Sequence, residues 1–150
     1  DWTLHAYGAG ELKNNIQQQI DKASLNGKMI LHDPVPNILE KYVDSSIYIM
    51  SSRFEGFGMV LVEAMECGLP CVSFDCPYGA SDIIRNGEDG YIVDYLNSQQ
   101  LAFRICDLIE DDNKRITMGR KAKRNIQRYN QEAVMKQWVD LFNCLTVKEA

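Results

Sequence analysis

Short apolar segments alternate with stretches of helical periodicity along most of the 150 residues. Strands are predicted at residues 3–8, 28–32, 46–51, 70–74 and 91–94. Strands that alternate with helices indicate parallel pairing, with each helix forming the crossover between two strands. These strands are apolar on both faces, as expected where helices cover both sides of a sheet. The pattern predicts an α/β fold: a Rossmann-like parallel sheet with helices on both faces.

The segments between the strands have apolar residues at three- and four-residue spacing, which is typical of amphipathic helices. The first helix starts near Glu11, and Gly27 is its predicted end. Ser81 is the expected N-cap of a short helix at 79–86, and Asn97 or Ser98 that of the following one. Further helices are predicted at 38–44, 58–67, about 113–128 and 131–145.

Composition excludes several classes of protein. With 45% hydrophobic and 25% charged residues, the chain has the make-up of a compact domain with a core. A net charge of −5 argues against a nucleic-acid partner, but not against a small anion held by backbone amides. Five cysteines without a CxxC pair argue against a disulfide framework or zinc site, and favour a reducing compartment. No apolar run approaches the roughly 20 residues of a membrane-spanning helix.

The segment "SSRFEGFGMVLVEAMECGLP" (51–70) is the strongest candidate for a binding site. Ligands of parallel sheets bind beyond the carboxyl ends of the strands, and this segment follows the third predicted strand. Gly56 and Gly58 let the backbone approach a ligand closely, and the helix that follows begins with unpaired amides and a positive dipole end. This combination predicts a site for a phosphate or diphosphate.

Two carboxylates, Glu55 and Glu63, frame the same turn. Carboxylate oxygens accept hydrogen bonds from vicinal hydroxyls, so the pair suits a ligand with a diphosphate between two hydroxyl-rich rings. A nucleotide sugar has that shape. Taken alone, a glutamate near a helix start is usually a dipole partner, and a GFG sequence is usually just a turn.

Other candidate residues receive structural interpretations. His5 and His32 are single histidines in predicted strands, interpreted as core or strand-end residues rather than catalysts. The aromatic residues near the turn could form a platform for a sugar ring: Phe54, Phe57, Phe74 and Tyr78. Most of them are interpreted as core residues instead, with Phe57 the exception because it lies in the turn. The last helix carries an apolar face suited to packing on a core, formed by Val134, Trp138, Leu141 and Leu145.

Several segments together resemble one enzyme family. "EGFGMVLVE" has the form E-x7-E and is followed by "AMECGLPCV". This signature is similar to that of the retaining glycosyltransferases of the GT-B fold, within the large family 4 group. The segments "WTLHAYGAGE", "ILHDPVPNI", "IYIMSSRFEGFG" and "DCPYGASDIIRNGEDGYIV" resemble further family motifs in the family's order. The resemblance extends from about residue 2 to residue 130.

The resemblance implies a set of donor-binding residues: Glu55, Gly56, Phe57, Gly58, Met59, Val60, Glu63, Pro34 and Val35. Glu55 would contact hydroxyls of the donor sugar and is the candidate catalytic residue. The backbone from Phe57 to Met59 would lie along the sugar and diphosphate, with Val60 beside the phosphates. Glu63 would hold the ribose hydroxyls, and the backbone of Pro34 and Val35 would meet the nucleobase. The family's arginine and lysine on the diphosphate cannot be assigned in these residues.

For the whole chain, the resemblance implies the C-terminal half of a GT-B glycosyltransferase. Residues 1–150 would form one nucleotide-sugar-binding domain that lacks its first strand and helix and is inactive alone. Its partners would be a UDP- or GDP-sugar donor and an N-terminal domain of the same chain. In the family the last helix reaches towards that domain, so an exposed apolar face on residues 131–145 would be a domain contact rather than an oligomer interface. No metal or cofactor is implied. The expected setting is cytoplasmic assembly of a surface polysaccharide or glycolipid, and membrane association of the full-length enzyme stays open.

Two alternatives remain at this point. The first is another GT-B enzyme, such as a nucleotide-sugar epimerase or a synthase. The second is a doubly wound regulatory domain without catalytic activity. A regulatory domain of that kind predicts acidic residues clustered at the strand ends, whereas this sequence has glycine turns there.

Overall fold

The computed structural model describes residues 1–146, which fall into two compact units. The first unit, Asp1–Ile38, contains β1 (Leu4–Tyr7), α1 (Lys13–Lys22) and β2 (Met29–His32). The two strands pair in parallel, with Leu4 opposite Met29 and Tyr7 opposite His32. The unit is therefore a βαβ motif, because parallel neighbours need a crossover such as α1.

Helix α1 ends earlier than the predicted stop at Gly27. Ser24 adopts a left-handed conformation with φ of 56° directly after the helix. The amide of Leu25 donates to the carbonyl of Ile20 at 3.0 Å, and the amide of Ser24 donates to that of Asp21 at 3.0 Å. This is a Schellman ending, which usually has glycine where serine stands here. The predicted end was wrong because a non-glycine residue takes the left-handed position.

The second unit runs from Leu39 onward and contains a three-stranded parallel sheet in the order β3-β4-β5. Its elements are α2 (Ile38–Val43, starting at the boundary), β3 (Tyr48–Met50), α3 (Met59–Glu66), β4 (Cys71–Phe74), α4 (Ala80–Ile83), β5 (Gly90–Val93), α5 (Ser98–Glu110), α6 (Asp112–Asn125), a 3-10 turn (Ile126–Tyr129) and α7 (Gln131–Thr146). The parallel pairing and the alternation of strands and helices confirm the predicted α/β class.

The core of the second unit lies around β4, whose four residues are all buried. Side chains of β4 and β5 pack against α5 and α6 in one cluster, formed by Val72, Phe74, Tyr91, Val93, Leu101, Leu108 and Met118. Helix α6 also approaches the end of α3 very closely: a Cβ on Gly119 would lie 2.2 Å from the carbonyl oxygen of Gly68. The glycine at 119 thus permits the contact that anchors the C-terminal end of α3.

Two helix caps were predicted, and one prediction is confirmed. The side chain of Asn97 caps α5 by accepting a hydrogen bond from the amide of Gln100 at 3.0 Å. Ser81 does not cap α4, because it lies inside that helix and Gly79 precedes it with φ of 95°. Helix α4 is also shorter than the predicted 79–86, since Ile84 is already extended.

The apolar face of α7 does not pack on the core, contrary to the prediction for that helix. None of the α7 residues is buried, and Trp138, Leu141 and Leu145 are each about half exposed. The rings of Trp138 and Phe142 stack on each other, with centroids 5.7 Å apart. The helix therefore presents a continuous apolar surface that the other described residues of the second unit leave uncovered.

Asp89 lies directly before β5, and its buried carboxylate is hydrogen-bonded to the last residue of α6. Its side chain is fully buried and accepts from the amide of Arg85 at 2.7 Å and from the side-chain amide of Asn125 at 3.1 Å. We expect Asp89→Ala to lower the free energy of unfolding by about 2–4 kcal/mol, because it removes the acceptor of two hydrogen bonds and leaves a gap where a fully buried side chain stood. The matched control is Glu88→Ala, whose half-exposed carboxylate accepts from the same Asn125 and should cost about 1 kcal/mol or less. Denaturant titration of both variants measures this difference, and equal losses would contradict it.

Candidate functional site

The turn between β3 and α3 presents an uncapped helix end. Gly58 adopts a left-handed conformation with φ of 90°, and no side chain caps the helix. The amide of Leu61 donates to the Gly58 carbonyl at 2.9 Å, whereas the amides of Met59 and Val60 precede any intrahelical acceptor. Met59 is exposed and Val60 is half-buried. The turn therefore offers backbone donors and the positive end of a helix dipole to an anion.

Glu55 and Glu63 lie on either side of this helix end, as the sequence predicted. Glu55 is half-buried in the turn, and Glu63 is half-buried within α3. Among residues 1–146, neither carboxylate forms a hydrogen bond or an ion pair with another side chain. Both carboxylates are therefore available as hydrogen-bond acceptors for a ligand.

The charges of these glutamates act on two tyrosines near the turn. Burial raises the pKa of Tyr42, and the nearby charge of Glu63 raises it further. Burial, followed by the neighbouring Tyr42, raises the pKa of Tyr48, to which Glu55 makes a smaller contribution. The two rings meet edge to face, with centroids 5.5 Å apart.

Three contacts fix the turn, and sequence reasoning missed all of them. A Cβ on Gly79 would lie 2.0 Å from the carbonyl oxygen of Phe57, so the loop before α4 packs directly on the turn. The hydroxyl of Tyr95 donates to the carbonyl of Arg53 at 2.9 Å. The ring of Tyr129 meets that of Phe57 at 5.4 Å. No local sequence pattern identifies these contacts, since each joins residues that lie far apart in the chain.

The aromatic residues near the turn differ from the prediction. Phe74 is buried in β4, as expected, but Phe54 and Tyr78 are 68% and 71% exposed. Phe57 is partly exposed, in agreement with its predicted place outside the core. Phe54 and Tyr78 were interpreted as core residues rather than as a sugar platform, and the core interpretation was wrong for both.

The first unit has a cavity of about 570 Å³ at the carboxyl ends of its two strands. It is lined by the end of β1, the glycine turn of residues 8–10 and the start of α1. His5 and His32 are hydrogen-bonded to each other at 2.8 Å, and the ring of Tyr7 stacks on His32 with centroids 4.5 Å apart. The two histidines are thus strand residues with a mutual partner.

The predicted donor-binding residues divide between the two units. Residues 55–60 and Glu63 share one helix end in the second unit. Pro34 and Val35 lie in the loop after β2 in the first unit, where Pro34 is exposed and Val35 is half-buried. The glutamates and the glycine turn lie close together along one segment of the second unit. Their role as a donor site and the nucleobase contacts both stay predictions.

Two further properties concern residues 1–146 only. Within this range no three or more histidine, cysteine, aspartate or glutamate side chains converge as a metal site would require. No helix in the same range has the length and apolar character needed to cross a bilayer.

The contact between Gly79 and Phe57 allows a direct test of how the turn is held. We expect Gly79→Ala to lower the free energy of unfolding by about 3 kcal/mol or more, since both a positive φ and a backbone overlap oppose the methyl group. Gly87→Ala is the matched control: Gly87 has φ of 79° but open space around it, so only about 1–2 kcal/mol should be lost. Denaturant titrations, with amide chemical shifts of residues 55–59, measure the effect. Similar losses in both variants would show that the overlap is unimportant.

Tyr48 makes stability depend on pH in the alkaline range. Its pKa in the folded state is raised above the ordinary 10.0, so the folded state retains a proton that the unfolded state loses above about pH 10. The free energy of unfolding should therefore be unaffected by this group below pH 9 and fall as pH rises above 10. Tyr48→Phe should reduce that fall by about 1.4 kcal/mol per pH unit, as measured by urea unfolding between pH 8 and 11. An unchanged slope in the variant would contradict the assignment.

The sequence of this chain matches a known protein family. The family model described as glycosyl transferases group 1 matches residues 1–125. The amylovoran biosynthesis glycosyltransferase AmsD of Erwinia amylovora is 34% identical over 95% of this chain and 40% of its own length. The poly(ribitol-phosphate) alpha-N-acetylglucosaminyltransferase of Staphylococcus aureus is 31% identical over 93% of this chain and 29% of its own.

A solved structure agrees with these sequence matches. The crystal structure of Anabaena HepE in complex with UDP-glucose has a TM-score of 0.84 at 26% identity, over 95% of this chain and 41% of that one. The chain thus spans less than half the length of each of these relatives. The resemblance carried by the E-x7-E motif is confirmed: this chain belongs to the glycosyl transferases group 1 family, and its structural neighbours are GT-B glycosyltransferases.

Proposed function

We propose that this chain is the donor-binding half of a retaining glycosyltransferase that uses a nucleotide sugar. The observation that carries the proposal is the uncapped, left-handed entry into α3, with an unpaired carboxylate on each side. Backbone donors and a helix dipole favour a diphosphate, and the two carboxylates favour hydroxyl-bearing rings. The family membership supports this interpretation over a regulatory domain without catalytic activity.

In this proposal each residue near the turn has one role. The diphosphate lies against the backbone of residues 57–59 and beside Val60. Glu63 accepts hydrogen bonds from the two ribose hydroxyls, since it lies about one helical turn inside α3. Glu55 accepts from hydroxyls of the donor sugar and is the candidate catalytic residue. The backbone of Pro34 and Val35 meets the edge of the nucleobase.

The helix end also contributes to the chemistry. Negative charge develops on the diphosphate as the glycosidic bond to the donor sugar breaks. Preorganised dipoles stabilise such charge most effectively, and the amino end of α3 supplies one. The developing charge exceeds what one helix dipole neutralises, so we expect the full-length enzyme to supply cations as well. The proposed transfer needs no metal ion.

A second domain of the same chain is the proposed partner. The relatives are more than twice as long as this chain, and α7 carries an apolar surface left uncovered in the second unit. An N-terminal domain covering that surface would remove it from water. Acceptor binding and transfer would then need both domains, and this chain alone would be inactive.

The proposed setting is the cytoplasmic assembly of a surface polysaccharide or glycolipid. The names of the relatives support polymer synthesis: one acts in amylovoran biosynthesis and another on poly(ribitol-phosphate). The UDP-glucose in HepE supports a UDP-sugar over a GDP-sugar as the donor. The same names favour transfer over epimerisation.

Nucleotide titration of the full-length protein tests the donor site. We expect one of UDP, GDP and ADP to bind in calorimetry, and Glu63→Ala to weaken its binding about 10- to 100-fold, since charge-assisted hydrogen bonds contribute about 1.5–3 kcal/mol. Glu66→Ala is the matched control, because Glu66 is on the same helix but bonds Gln127 instead. Equal affinities in the two variants would refute the role of Glu63, and binding of none of the three nucleotides would refute the donor site.

A further inference from the structure

An exposed aromatic pair stands beside the candidate donor site. The rings of Phe54 and Tyr78 have centroids 6.3 Å apart and planes at 79° to each other. They are 68% and 71% exposed, so each leaves most of its surface in water. Burying a large aromatic ring is favourable, so two adjacent rings left exposed to water indicate a surface that a ligand can cover.

Tyr78 is held in an unfavourable backbone conformation. Tyr78 has φ of 69°, in the left-handed region that non-glycine residues seldom occupy. The next residue, Gly79, packs on the carbonyl of Phe57 with no room for a side chain. Strain of this kind persists where the surrounding structure enforces it, and it concentrates at ligand sites. The strained conformation projects the Tyr78 ring next to Phe54.

Phe54 is held from the other side of the turn. It directly precedes Glu55, and the carbonyl of its other neighbour, Arg53, accepts from the hydroxyl of Tyr95 at 2.9 Å. Both aromatic residues therefore belong to segments held by the loops after β5 and before α4. Phe54 directly precedes the half-buried Glu55, and the Tyr78 ring reaches this place through its contact with Phe54. A fixed pair loses little conformational freedom when a ligand binds.

We propose that Phe54 and Tyr78 form a stacking platform for a pyranose ring, an inference that rests on the proposed function. A pyranose has one face of C–H groups with slight positive charge, which suits the negative face of an aromatic ring. Its hydroxyls project from the rim, where Glu55 can accept from them. The ring belongs to the donor sugar or to a sugar of the acceptor, and the two sources share this chemistry.

Substitutions separate the platform from the nucleotide site. Phe54→Leu removes one aromatic face and stays apolar. Tyr78→Asn removes the other face with a residue that tolerates positive φ, and Tyr78→Phe keeps the ring. Phe103→Leu is the matched control, since Phe103 is 66% exposed on α5, away from the turn.

Calorimetry on the full-length protein gives the first readout. UDP is compared with UDP-glucose and GDP with GDP-mannose, so that the sugar's contribution is the ratio of the two affinities. If the donor ring stacks on the pair, Phe54→Leu and Tyr78→Asn lower that ratio at least about threefold and leave the nucleoside diphosphate unaffected. Tyr78→Phe and Phe103→Leu should match the wild type.

Saturation-transfer NMR with methyl glycosides of glucose, galactose, mannose and N-acetylglucosamine, at saturating nucleoside diphosphate, gives the second readout. If the acceptor ring stacks on the pair, the wild type gives a saturation-transfer signal for at least one glycoside. Phe54→Leu and Tyr78→Asn lose that signal, whereas Tyr78→Phe and Phe103→Leu keep it. The platform is refuted if neither readout changes while the nucleoside diphosphate still binds. Failure of every nucleoside diphosphate to bind the wild type would instead overturn the donor site, and the platform with it.

Discussion

The open amino end of α3 is the feature on which the proposed chemistry depends. A helix normally has its first amides satisfied by a capping side chain, and here Gly58 offers none. Its left-handed backbone turns the chain sharply into the helix, which leaves the amides of Met59 and Val60 for a ligand. A serine or aspartate at position 58 would compete for those donors and would also resist the positive φ.

The rest of the second unit holds that end rigid. The loop before α4 packs on Phe57, Tyr95 holds Arg53, and Tyr129 meets the Phe57 ring while its hydroxyl donates to the carbonyl of Asp82. At its other end, α3 finishes in a Schellman motif whose Gly68 touches α6. Both ends of α3 are thus tied to elements far away in sequence, so the site depends on the whole of the second unit.

Local patterns in the sequence predicted the fold class, the strands and most helices, because periodicity and caps such as Asn97 act over a few residues. They also predicted the helix end with its two glutamates, because strand, glycine turn and helix are contiguous there. The failures have non-local or conformational causes. Ser24 takes the left-handed position after α1 that was expected of a glycine. Gly79 is required by its contact with the backbone of Phe57, 22 positions earlier in the chain. The exposure of Phe54 and Tyr78 depends on how two loops pack against each other. The apolar face of α7 was visible in the sequence, but in the proposed function a second domain covers it, and no local pattern predicts that contact.

The most direct measurement is a crystal structure of the full-length protein with its donor nucleotide sugar. The account predicts density for the diphosphate within hydrogen-bonding distance, about 3 Å, of the amides that open α3. It also predicts the ribose hydroxyls on Glu63 and the sugar hydroxyls on Glu55. A diphosphate bound elsewhere, with the amino end of α3 occupied only by water, would contradict the account.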